Sequence, residues 1–278
     1  FGENESNWGC LVKGFEPQGY GMAYNPPYYK ELFENYGFKL YYRQYSFHID
    51  IDKPFPERFW KIAEWINKRP NYSFRHFDYK HADKFVQDTV KVYNEAWQLI
   101  KKDFTPLDPK SVYEVMQKAK PILDPELCWF AYFKDEPIAF FTFLPDANQI
   151  LKHLNGKLNL PSKLKFLYLK KKKTMTRARG MLMGVVPEYQ NKGIESAFIR
   201  EVRRVIDRKK QYKEIEFSWV GDFNPRMRKI FISVGSVPVK HYITYRYLFD
   251  PKAKFRRYPI QEFNDHPKTD KTTPNTKN

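Results

Sequence analysis

Between residues 85 and 99 a single stripe recurs at Phe85, Thr89, Val92, Ala96 and Leu99, at spacings of four, three, four and three. Five positions at that period share one face of a helix, so the segment predicts an amphipathic helix. Asp108 followed by Pro109 predicts a second, capped helix running to about Lys120. Residues 127–133 are unbroken apolar, as in a strand buried on both faces, and 137–144 repeat the pattern. The polar triplet Lys134-Asp135-Glu136 between them predicts a hairpin. Residues 72–78 read as a strand, and 148–173 as mostly helical and basic, broken by Gly156 and Pro161. Residues 181–186 predict a buried strand, and Ile194, Phe198, Val202 and Val205 mark one face of the helix after it. In 214–220, Ile215, Phe217 and Trp219 alternate with Glu216 and Ser218, which is the two-residue period of a strand. Asn224-Pro225 opens another helix that Gly235 ends, and 241–249 predict an aromatic strand. From residue 72 the order of elements is that of a mixed α/β protein built in α+β layers.

An echo links the ends of this pattern. Asn25-Pro26, a helix, Gly37-Phe38, an aromatic strand and Asp50 match Asn224-Pro225, a helix, Gly235-Ser236, an aromatic strand and Asp250. The offset of about 200 residues suits a duplicated domain rather than a solenoid. Chance recurrence of Asn-Pro, a common helix opener, is the alternative. If the echo is real, residues 1–52 are the C-terminal half of a degenerate first unit. Residues 53–71 would then be a linker, 72–250 a complete second unit with a basic helical insertion at 148–174, and 251–278 a basic tail.

Composition narrows what the chain does. Of its 278 residues 42% are apolar and 18% aromatic, enough to bury a core. A formal charge of +17 favours an anionic ligand or partner. Residues 151–180 carry ten Lys or Arg and no Asp or Glu. That run is either a solvated helix end or an anion site for ligand phosphates, with nucleic acid or an anionic membrane as weaker alternatives. No aromatic residue alternates with Lys170–Lys173, so a base-stacking platform is missing and nucleic acid is not expected as a partner. Residues 265–278 hold no apolar side chain and are expected to be disordered. The two cysteines, Cys10 and Cys128, and the six histidines show no metal-ligand spacing, so no metal site is expected. No apolar run approaches the ~20 residues of a membrane span, and no signal peptide opens the sequence, so a cytoplasmic home is expected.

The main chemical signal is a turn. A buried strand leads through Pro187-Glu188-Tyr189-Gln190-Asn191-Lys192-Gly193-Ile194-Glu195-Ser196 into a helix. The first turn of a helix has unpaired N–H groups and partial positive charge. Glycine at 193 lets an anion approach them, and Gln190 and Lys192 can add donors. The segment reads equally as a diphosphate cradle or as a strand-to-helix turn with glycine for geometry alone.

Val185-Val186-Pro187-Glu188-Tyr189-Gln190-Asn191-Lys192-Gly193-Ile194 resembles the strand and pyrophosphate loop of the GNAT superfamily of acyl-CoA N-acyltransferases. Trp219, Asp222, Asn224-Pro225 and the helix ending at Gly235 are similar to that family's next strand and helix. The resemblance covers about 72–250, and the whole resembles a tandem GNAT protein truncated at its N-terminus. It implies a GNAT-like fold, preceded by a partial second GNAT-like unit. It also implies acetyl-CoA or another acyl-CoA as co-substrate and transfer of the acyl group to an amine acceptor that the chain does not reveal. The backbone of Met183, Gly184 and Val185 would pair with the pantetheine arm. The amides of Gln190, Asn191, Lys192, Gly193, Ile194, Glu195 and Ser196 would hold the diphosphate, and Asn224 would line the cofactor. Two positions depart from the family pattern. Glu195 stands where the family has Gly or Ala, and Phe231 stands where many members have a Tyr that protonates the leaving thiolate. Tyr242 and Tyr245 are the nearby replacements. Glu216 and Ser218 share a strand face beside the implied cleft and are the candidate catalytic residues, although Glu216 also reads as a solvated or salt-bridged carboxylate. Glu195 and Phe231 leave a catalytically inactive protein with a binding or regulatory role as the alternative.

Overall fold

The computed structural model describes residues 9–98, 104–157 and 159–260. Its strands form one eight-stranded sheet in the order β1-β8-β2-β7-β6-β5-β4-β3. They are β1 (Cys10–Lys13), β2 (Lys39–Asp50), β3 (Tyr72–His76), β4 (Cys128–Phe133), β5 (Glu136–Pro145), β6 (Arg177–Val185), β7 (Glu214–Gly221) and β8 (Val237–Arg246). All neighbours are antiparallel except β6 and β7. The helices are α1 (Tyr29–Tyr36), α2 (Glu57–Asn67), α3 (Ala82–Gln98), α4 (Pro109–Ala119), α5 (Asn148–Leu151), α6 (Leu160–Lys171), α7 (Ile194–Lys209) and α8 (Pro225–Ser233).

The apolar run of β4 divides between two layers, as the two-residue period requires. Trp129 and Ala131 join the core beneath α2, α7 and α8, while Cys128, Phe130 and Tyr132 join the core beneath α3 and α4. The hairpin turns on Lys134 and Asp135, both at positive φ, the geometry that matches strand twist. The stripe of α3 buries Phe85, Val92 and Ala96, and Leu99 lies outside the described residues. The Asp108 side chain accepts from the Ser111 amide at 3.0 Å, capping α4. In α7, Ile194, Phe198, Val202 and Val205 are all buried, each adding about 1.5–3 kcal/mol of apolar transfer.

Three expectations are corrected. Residues 53–71, expected as a linker, contain α2, whose Phe59, Ala63 and Ile66 are buried. Their spacing of four and three gives the helix an apolar face, which it packs against α7. Strand β6 begins at Arg177, before the expected 181, because its first residues pair with both β5 and β7. The aromatic strand spans 237–246 rather than 241–249, its register against β2 starting at Val237↔His48. The tail expected to be disordered lies outside the described residues.

Strand β2 lies between β7 and β8. The two strands of the sequence echo, β2 and β8, are thus direct antiparallel neighbours, with Lys39 opposite Arg246.

Candidate functional site

The site begins where two parallel strands part. Strands β6 and β7 run in register from Arg177↔Glu214 to Gly180↔Phe217, and there the pairing ends. Beyond it β6 stays paired with β5 as far as Val185↔Ala139, and β7 stays with β2 as far as Gly221↔Gln44. Each strand has an irregularity at the parting. Between Thr142↔Leu182 and Phe143↔Gly180, β6 advances by two residues against one, with Met181 extra. Between Phe47↔Phe217 and Tyr45↔Val220, β7 advances by three against two. Bulges bend a strand and increase its twist, which drives the two edges apart. The β7-facing edge of residues 181–185 is left open, and Met181 and Leu182 are exposed. Trp97 of α3 closes over Gly184, where a Cβ would stand 2.8 Å from the indole.

The parted strand leads into the turn before α7. Gly193 has φ +86° and caps the helix without a side-chain bond. The first backbone bond of the helix runs from the Ala197 amide to the Gly193 carbonyl, 3.1 Å, and the amides of 191–196 have no acceptor among the described residues. A Cβ at 193 would stand 2.8 Å from Ile62 of α2. Beside this contact, Arg58, Lys61, Trp65, Asn191 and Lys192 line an open cavity of about 400 Å³. Of its three cations Lys61 is paired with Glu57 at 2.9 Å, and the Lys192 ammonium sits 4.7 Å from the Tyr189 ring centre. Arg58, Lys61 and Trp65 were not legible as site residues, because their segment read as a linker. The spacing of Phe59, Ala63 and Ile66 was the available signal.

Glu195 does not face solvent. Its carboxylate, 6% exposed as a residue, lies 3.2 Å from Nη2 of Arg226. Nη1 of the same guanidinium donates to Oε1 of Gln190 at 2.6 Å, and Gln190 Nε2 donates to the Val185 carbonyl at 3.0 Å. Gln190 is therefore a strut between the end of β6 and α8, not a free donor. Asn224 caps α8, accepting from the Met227 amide at 3.0 Å.

The remaining predicted residues separate. Phe231, expected beside the cofactor, is packed in the core. It stacks on Phe217 at 4.5 Å and 13° and touches Phe47 at 5.6 Å. Glu216 and Ser218 do share the face opposite that core, flanking the parting point. Glu216 is buried, with Oε2 2.8 Å from Lys240 Nζ and 3.5 Å from Arg177, while Oε1 has no partner. Ser218 accepts from Arg179 Nε at 2.7 Å. Tyr242 donates to Gln18 at 2.5 Å and Tyr245 to Glu34 at 3.0 Å. Burial, with Glu216 near the first and Glu34 bonded to the second, pushes both phenols above their ordinary range.

This arrangement is a known one. The chain superposes on a GCN5-related N-acetyltransferase from Sphaerobacter thermophilus with a TM-score of 0.52 and 13% identity, covering 84% of this chain and 57% of that one. The fold is the GNAT fold. In sequence the chain is 30% identical over 245 residues to the "Bacterial ceramide synthase" of Caulobacter vibrioides, covering 86% of this chain and 62% of that protein. It is 24% identical over 242 residues to "Protein YghO" of Escherichia coli, covering 85% and 61%. The chain thus spans about three fifths of the length of these curated relatives. No protein-family model matches it. Among the described residues no helix is long and apolar enough to cross a membrane.

Proposed function

We propose that the chain transfers an acyl group from an acyl-CoA to the amine of a long-chain amino alcohol. The observation that carries this reading is the parting of β6 and β7 after Gly180 and Phe217, which leaves the far edge of β6 without a strand partner just before the turn at Gly193. A parted strand edge suits an extended pantetheine arm, whose amides would pair with the edge at Met183–Val185, where the Val185 carbonyl is already held by Gln190 Nε2 and would have to be shared or released. The diphosphate would lie on the amides of residues 191–196, with Arg58, Lys61 and Lys192 adding charge and Trp65 offering the adenine the face that Arg69 does not cover. The likeness to a bacterial ceramide synthase supports the acceptor class, since a ceramide is an N-acylated long-chain amino alcohol.

In the reaction the amine nitrogen attacks the thioester carbonyl, the C–N bond forms, the C–S bond breaks and the amine loses a proton. Holding donor and acceptor in line supplies much of the rate. Glu216, through its unpartnered Oε1, is the proposed proton acceptor, and Ser218, the first residue past the parting, borders the thioester. The test is calorimetric titration with acetyl-CoA and palmitoyl-CoA, followed by thiol release with sphinganine as acceptor. Binding with acceptor-dependent thiol release is expected, and failure of any acyl-CoA to bind refutes the reading.

One observation favours a second reading, a binding protein without turnover. Phe231 is locked in the core and the two nearby phenols are poor acids, so none of these three positions supplies a ready proton to the leaving thiolate. Acyl-CoA binding without thiol release across a broad amine panel would select it.

A further inference from the structure

Helix α6 lies in the insertion between β5 and β6, and none of its residues is buried. It is apolar on two sides. Phe166 and Leu169 are half-buried toward the body of the protein. On the opposite side Leu160, Leu164, Leu167 and Tyr168 recur at helical spacing and are 70%, 59%, 60% and 59% exposed. A globular helix turns its polar face to water, and this one turns a leucine stripe to water among the exposed Lys163, Lys165 and Lys171. The helix is held in that orientation. Lys165 Nζ donates to the His153 carbonyl at 2.8 Å, and Lys170 Nζ to the Pro121 carbonyl at 2.6 Å.

Lys163 flanks the leucine stripe, Lys171 continues it at the end of the helix, and Lys173 follows just beyond. Lys163, Lys171 and Lys173 have no protein partner among the described residues, and the whole segment 151–180 contains no carboxylate. We infer that α6 is an interfacial helix that docks the protein on an anionic bilayer, with its leucine stripe in the acyl boundary and its lysines among the headgroups. Charge decides for lipid over a protein partner, because lysine is depleted from protein–protein interfaces and favoured at membrane surfaces. The stripe decides against nucleic acid, which has no use for exposed leucines and is gripped by aromatic platforms. This inference stands on α6 alone and does not depend on the acyltransferase reading.

The test is co-sedimentation of the chain with phosphatidylcholine vesicles, with and without phosphatidylglycerol. Partitioning is expected only onto the anionic vesicles. The double variant Leu164→Gln/Leu167→Gln and the triple variant Lys163→Gln/Lys171→Gln/Lys173→Gln should each lower it roughly tenfold or more. All five positions are exposed, and an unchanged circular dichroism spectrum verifies that the variants fold. A Leu164→Trp variant should show blue-shifted emission on anionic vesicles, which reports insertion rather than charge attraction alone. Equal partitioning of the leucine variant, or no shift at Trp, overturns the inference. So does binding of an RNA oligonucleotide, or leucine-dependent dimerisation, without vesicle partitioning.

Discussion

The Glu195 carboxylate and the Arg226 guanidinium meet at 3.2 Å, joining the first turn of α7 to the first turn of α8 across the mouth of the parted strands. The pair answers what an acidic residue does at the entrance of an anion site. Turned sideways and neutralised by Arg226, Glu195 would leave the field of the helix N-terminus to the proposed anionic ligand.

Replacing Arg226 by Gln should therefore have two effects. It strands a buried carboxylate, costing about 3–5 kcal/mol of stability in urea denaturation. If the proposed diphosphate site is right, the replacement also sets an uncompensated negative charge beside it, raising the acyl-CoA dissociation constant roughly tenfold or more by calorimetry. The double variant Arg226→Gln/Glu195→Gln should recover most of both, and a double variant no better than the single would refute the coupling.

Gly193→Ala places a Cβ 2.8 Å from Ile62 at a φ of +86°. The contact is with Cγ2, which a helical Ile holds in one χ1 rotamer, so this clash adds to a backbone strain of about 1–2 kcal/mol. Gly193→Glu adds a charge that should abolish any rise in melting temperature with acetyl-CoA. Retention of that rise would move the phosphates elsewhere.

Lys240→Met removes the closer cation from Glu216, 2.8 Å away and buried with it. The remaining partner, Arg177 at 3.5 Å, is shared with Glu214 and Asp146. A loss of about 3–5 kcal/mol is expected, and Glu216→Gln in the same chain should restore part of it.

Phe231→Tyr returns the family's residue to its position yet should not speed thiol release. The ring stacks flat on Phe217, so the added hydroxyl enters an apolar core at a cost of about 1–3 kcal/mol. A rise in turnover would show that the helix rotates this side chain toward substrate.

Cys128 is sealed in the sheet, and burial pushes its thiol up to about 12 from 9.0. At pH 8 it should carry ~1,000-fold less thiolate than a free cysteine, and so resist a disulfide reagent until the chain unfolds. Because the folded value lies above the unfolded one, the stability tied to this group is full below pH 9. It falls as pH rises toward 12, which denaturation across that window would reveal.

Much of the fold was legible because its signals are local. The stripe of α3, the Asp108 cap and the apolar runs of β4 and β5 each follow from neighbours within a few residues. The turn at Gly193 was legible for the same reason. Helix α2 carried the same kind of signal at Phe59, Ala63 and Ile66, but the domain scheme drawn from the echo assigned its residues to a linker. Glu195 and Phe231 were visible as departures, yet nothing near them in the chain says that one meets Arg226 and the other Phe217.

By itself the sequence determined most of the elements from residue 72 onward, their order and the strand-to-helix turn at Gly193, since a helix or strand is written at its own period of 3.6 or 2 residues. Only the tertiary structure decided that β2 slides between β7 and β8, that β6 and β7 part after Gly180 and Phe217, and that α2 lines the turn. Those facts depend on which distant edges and charges come into contact, and such pairings are settled by the closing of the whole sheet rather than by any stretch of it.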